Sequence, residues 1–158
     1  MIMKKLFLLT IFTIFGFTVA NSQINWKIGV NAGIPVGDVQ DFSSFNIGGD
    51  ATYFFGVLDL VSAGPMVGYS RFIGKNDFDD VSFIPLAASG RFSLPNAFFI
   101  GADLGYAIGI DDGNDGGFYY RPKVGYDFGI IGLIASYSGI AVDGGSFNSV
   151  NLGIELGF

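Results

Sequence analysis

Between Asn25 and Phe158 the chain reads as eight segments in which apolar residues alternate with polar residues or glycine. Successive side chains of a strand point to opposite faces, so each segment predicts a strand with one oily face and one polar face. The segments are Asn25 to Gly33, Asn46 to Val57, Val61 to Phe72, Val81 to Phe92, Phe98 to Gly109, Phe118 to Gly129, Ile131 to Ala141 and Asn148 to Phe158. Their connections take turns in length. Long ones cover Ile34 to Phe45, Ile73 to Asp80 and Ile110 to Gly117, with Val142 to Phe147 as a fourth. Short ones lie at Leu58 to Leu60, Ser93 to Ala97 and near Ile130. That rhythm belongs to an antiparallel meander with one loop-rich rim and one tight rim.

The faces decide what the meander is built for. One face collects Trp26, Ile28, Val30, Ile47, Tyr53, Phe55, Val67, Tyr69, Leu86, Ile100, Leu104, Val124, Leu133, Val150, Leu152, Ile154, Leu156 and Phe158. The other collects Lys27, Asn31, Asp50, Thr52, Ser89, Arg91, Asp103, Arg121, Lys123, Asp127, Ser136, Asn151 and Glu155, with glycine at many intervening positions. Only 14% of residues are charged and half are hydrophobic, against roughly a quarter charged in an ordinary soluble domain. A closed barrel with its oily face outward and its charges inward answers both facts, since in lipid every backbone group must be paired internally. The aromatic residues fall in two bands. Trp26, Tyr53, Phe55, Phe92, Phe98, Tyr126, Phe128 and Phe158 lie toward the tight rim, and Tyr69, Phe118, Tyr120 and Tyr137 toward the loop rim.

Residues 1–22 read as a secretory signal peptide. Lys4 and Lys5 supply a basic start, Leu6 to Phe17 an apolar core, and Ala20 or Ser22 a small-residue cleavage point. The core is shorter than the ~20 apolar residues a membrane anchor needs. The expected mature domain is 23–158. Processing removes two of the 8 basic residues and none of the 14 acids, so its net charge is 6 − 14 = −8, which excludes nucleic acid as a partner.

With these residues in place, the chain resembles the eight-stranded outer-membrane β-barrels of the OmpA-like or porin-like superfamily over its whole mature length. The resemblance implies an up-and-down transmembrane barrel in the outer membrane of a double-membraned bacterium, with acidic loops outside and short turns in the periplasm. It also implies that Leu152, Ile154, Leu156 and Phe158 form the terminal signal read by the barrel assembly machinery. Outer-membrane lipid and lipopolysaccharide are then the expected surroundings, and a monomer the expected state. Pro65, Pro85 and Pro122 fall inside predicted strands, where each removes a ladder donor, so a bulge or register irregularity is expected at one or more of them.

The candidate site is the lumen. Its predicted charges are four cations, Lys27, Arg91, Arg121 and Lys123, and four anions, Asp50, Asp103, Asp127 and Glu155. The hairpin around Ile110 to Gly117 is expected to set Asp103 beside Lys123 and within diagonal reach of Arg121, and closure to bring Glu155 near Lys27. An eight-stranded barrel is only wide enough for side chains to fill it, so the preferred reading is a lumen plugged by salt bridges in a structural or surface-interaction protein. A narrow solute channel is the alternative, and a soluble lipocalin-like binder with the faces reversed is the third. Catalysis by Ser-His-Asp or Cys-His groups is excluded because the chain has neither His nor Cys. No cofactor is expected. Among the loop acids, Asp111, Asp112 and Asp115 are the weak candidates for holding Ca²⁺ or Mg²⁺, although the segment does not fit an EF-hand. Arg71 is expected on the lipid face just beyond Tyr69, reaching for lipid phosphate.

Overall fold

The computed structural model describes residues 2–19, 26–58 and 60–158. Helix α1 (Ile2–Val19) holds the segment read as the signal peptide; the two candidate cleavage points lie outside the described residues. Among the described residues, no helix is long and apolar enough to cross a membrane. The strands are β1 (Trp26–Val36), β2 (Ser43–Tyr53), β3 (Phe55–Leu58), β4 (Val61–Gly74), β5 (Val81–Ser93), β6 (Phe98–Gly109), β7 (Gly117–Asp127), β8 (Ile131–Val142) and β9 (Gly145–Gly157). Each pairs antiparallel with its neighbours, β1 pairs with β9, and β2 pairs with β4. β2 and β3 keep the same register against β4 on either side of Phe54, so they are two pieces of one strand and the barrel has eight. Closure removes every sheet edge, which a strand in lipid cannot leave open.

The prolines do not behave as expected. Each lies opposite an interruption on one side only: Pro65 at the break between β2 and β3, Pro85 between the pairs Val67↔Leu86 and Ser70↔Phe83, and Pro122 between Tyr120↔Gly139 and Lys123↔Ser136. On the other side the pairs Pro65↔Ala88, Pro85↔Ala107 and Pro122↔Ala102 stay intact. The register is the same before and after every gap. A strand residue's N–H points to one neighbour, so a missing donor weakens one ladder and leaves the other to hold the alignment. The irregularities sit elsewhere, between Ser43 and Phe45 and between Gly56 and Leu58.

One loop differs in kind. The predicted connection Val142 to Phe147 shrinks to a two-residue turn, Asp143 and Gly144, because the ladder of β8 and β9 continues to Val142↔Gly145. Gly144 takes φ +83°, a conformation that favours glycine. The other rim loops remain longer: a 3-10 turn over Gly37–Asp41, Lys75 to Asp80, and Ile110 to Gly116.

Outside, Leu152 is 73% exposed, Val30 64% and Ile154 50%, while Asp103 within the wall is 0% exposed. The oily face is therefore outward along the strands, and the reversed, lipocalin-like arrangement does not occur. At the tight rim, edge-on contacts link Trp26 to Tyr53, Tyr53 to Phe55 and Phe98 to Tyr126, and a tilted one links Tyr126 to Phe128, with centroids 4.6 to 5.1 Å apart. Toward the loop rim, Phe118, Tyr120 and Tyr137 stack in series. Two aromatic girdles thus bound an apolar belt, the form a barrel takes in a bilayer.

Candidate functional site

The lumen is filled in three layers. Nearest the loops, Phe72, Phe83, Ala107, Tyr119 and Ile140 point inward and bury almost completely, and Val39 closes over them from the 3-10 turn. Phe72, Phe83 and Phe147 meet edge to face at 5.1 to 6.2 Å. These residues share strand parity with the lumenal charges, a signal in the sequence that the face assignment left unread.

The middle layer is ionic. Asp103 accepts hydrogen bonds from Arg121 Nε at 2.7 Å and Lys123 Nζ at 2.9 Å, and Arg121 also donates to Asp50 at 2.9 Å. Here the register departs from expectation by two residues. Asp103 stands directly opposite Arg121, and Lys123, opposite Gly101, reaches it diagonally. Asn46, Ser138, Ser149 and Asn151 extend the polar layer toward the loops through a chain of hydrogen bonds. Two cavities in this region, about 20 and about 10 Å³, have room for a water each.

Near the tight rim, Glu155 is reached by Arg91 at 2.8 Å and only at 3.9 Å by Lys27, the partner expected from closure. Gly125 leaves space for the Phe99 ring, which lies where a Cβ would be. The Arg91 guanidinium in turn sits 3.8 Å above that ring, with Phe54 on another side at 4.9 Å. Asp127 lines the same mouth and makes none of these ion pairs. Arg121 with Asp50, and Arg91 with Glu155, join strands four places apart around an eight-strand ring: both pairs span a diameter. Hairpin neighbours alone do not reveal such contacts.

The loop rim is acidic. Among the described residues, no group of three or more His, Cys, Asp or Glu side chains is placed to hold an ion, and Asp111 instead accepts from the Ser82 amide at 2.6 Å. A cavity of about 630 Å³ lies between Asp79, Asp111, Asp112, Asp115 and Asp143, floored by Phe147. Arg71 lies on the outer face as expected, yet its guanidinium binds Asp80 at 2.7 Å. Asp80 also accepts from the Gly74 amide at 2.7 Å, and that bond, followed by Arg71, holds its carboxyl below the usual range.

No family model and no curated protein matches the chain. Solved structures do. The crystal structure of Ail, the attachment invasion locus protein of Yersinia pestis, superposes with TM-score 0.61 at 14% identity, covering 85% of this chain and 97% of that one. Neisserial surface protein A gives TM-score 0.53 at 16% identity, covering 84% and 96%. A de novo designed transmembrane β-barrel gives 0.59 at 13%, covering 87% and 98%. At such identities the likeness is one of fold, and that fold is the small outer-membrane β-barrel.

Proposed function

We propose that this outer-membrane β-barrel protein is non-enzymatic and serves an envelope-structural or surface-interaction role, with its lumen closed to solutes. The observation that carries this reading is the stacking of three barriers. An apolar plug lies above a neutral ionic layer, and the Arg91–Glu155 strut lies below it. The two cavities at the ionic layer hold about 20 and about 10 Å³. A conduit would have to break buried ion pairs, each costly to open when one partner is left behind.

In this reading 1–22 is removed on export, the long acidic loops face outward and the short turns face the periplasm. Leu152, Ile154 and Leu156 present their side chains on the outer face of β9, and the exposed Phe158 follows it directly, where an assembly machinery would read them before closure. Outer-membrane lipid, including lipopolysaccharide, surrounds the belt of a monomer. Planar-bilayer recording of the refolded protein tests the closed lumen. Silence is expected, and steady unitary conductance steps would establish the channel alternative instead.

A further inference from the structure

The lumen opens at the tight rim into a cup of about 300 Å³ whose walls include Trp26, Lys27, Phe54, Arg91, Asp127 and Phe158. Several buried polar atoms without an aligned hydrogen bond lie around it. Arg91 Nε and Asp127 Oδ1 are buried without a hydrogen-bond partner among the described residues. Arg91 Nη1 and Glu155 Oε1 lie 2.8 Å apart as an ion pair but are not aligned as a hydrogen bond. Lys27 makes the longest ion pair of the set, 3.9 Å, to a Glu155 carboxylate that Arg91 already holds through both oxygens. The cup therefore presents one ammonium and one carboxylate, Lys27 and Asp127, each short of a close partner among the described residues. No ion pair among the described residues joins them to each other.

Groups so arranged recognise a ligand that carries both charges. A lone anion would leave the buried Asp127 Oδ1 unpaired, and a lone cation would leave the partly exposed Lys27 with only its 3.9 Å contact to Glu155. The volume sits at the small end of ligand sites, enough for one compact molecule and too little for an oligomer. The inward, buried Phe54 ring offers apolar contact beside the charges. We propose that this cup binds a small zwitterion of the α-amino acid class. Its ammonium meets the Asp127 carboxylate, its carboxylate meets the Lys27 ammonium, and an apolar side chain lies against Phe54. The site is blocked above by the Arg91–Glu155 strut, so it is a dead end reached from the tight rim, independent of whether the lumen conducts.

The test is amide-resolved NMR titration of the full barrel in detergent micelles with three probes: L-leucine, N-acetyl-L-leucine, which lacks the cation, and L-leucinamide, which lacks the anion. L-leucine should give saturable shifts at the amides of Lys27 and Asp127, and each blocked analogue should bind about tenfold more weakly for the loss of one charge-assisted contact. Lys27→Gln and Asp127→Asn should each weaken L-leucine about tenfold, whereas Asp112→Asn on the opposite rim should not. No saturable shift with L-leucine at millimolar concentration overturns the proposal. Equal binding by either blocked analogue, or shifts mapping to the loop rim, does so too. If either variant loses its heat-modifiable gel migration, the three probes on the unaltered protein still decide.

Discussion

Asp103→Asn isolates the energetic role of the ionic layer. Asp103 is wholly buried and serves two cations at once, Arg121 at 2.6 Å and Lys123 at 2.9 Å. After the change Arg121 keeps Asp50 at 2.9 Å, but Lys123 keeps no anion, only the neutral amide oxygen of the new side chain and the Ser89 hydroxyl at 3.4 Å. The layer then holds two cations against one anion in a buried site. Removing one partner of a buried pair costs about 3 to 5 kcal/mol, far above the ~1 kcal/mol of a net hydrogen bond between neutral groups. Urea unfolding of the refolded barrel in detergent, followed by the folded fraction on unheated gels, should show a midpoint drop of more than about 1 M, taking a slope of roughly 1 to 3 kcal/mol per molar. Adding Lys123→Met restores neutrality and should recover more than half of the loss. If Asp103→Asn alone costs less than about 1 kcal/mol, or if the double variant falls by the sum of the two singles, the layer is not the coupled unit described here.

Three further outcomes follow from the same geometry. Ile154→Arg places a charge on the lipid face at mid-wall and should cost about 2 to 4 kcal/mol in folding into vesicles; an unchanged folding free energy would mean that this face does not meet lipid. Phe83→Ala opens a cavity in the apolar plug and should cost about 3 to 5 kcal/mol. Bilayer recordings of that variant should stay silent, because the ionic layer below is untouched. Asp80 should titrate by NMR below the ordinary aspartate value of about 3.9, so the Arg71 and Gly74 anchors of its loop persist at neutral pH and are lost only as pH falls through that lowered value. A titration at or above the ordinary value contradicts the anchoring.

Strand parity carried most of the fold. Polar residues such as Asp50, Arg121 and Glu155 declare their face unaided, because a charge in lipid is prohibitive. Apolar residues declare nothing by themselves: Phe83 in the plug and Phe98 in the girdle differ only in parity relative to charged neighbours. The lumenal aromatics therefore stayed hidden behind the expectation of glycine and charge. For the same reason the inward position of Asn151 does not make Asn151→Arg a mild change, since Asn151 is 2% exposed and donates to Ser138 in a space already filled. The contacts across the diameter were illegible for a different reason. Asp50 and Arg121 are 71 residues apart, and only closure of the ring brings them together.

Alternation cannot choose between registers that differ by two. Sliding β7 by two residues along β6 leaves every side chain on its own face and would set Asp103 opposite Lys123, the pairing expected from the loop alone. The observed register instead sets Asp103 opposite Arg121, where one guanidinium meets Asp103 on the neighbouring strand and Asp50 on the far wall. A two-residue slide would move Arg121 nearly 7 Å along its strand, at roughly 3.3 Å per residue, and break the cross-lumen contact. The uniform oily exterior has no means of opposing that slide, since lipid accepts any register of apolar side chains. The lumen does. Its two diametric struts act on four different strands, which also accounts for the tolerance of three prolines: ladder bonds lost beside Pro65, Pro85 and Pro122 are not the sole keepers of alignment. Buried charge in this barrel is thus better understood as a selector of register than as a source of net stability.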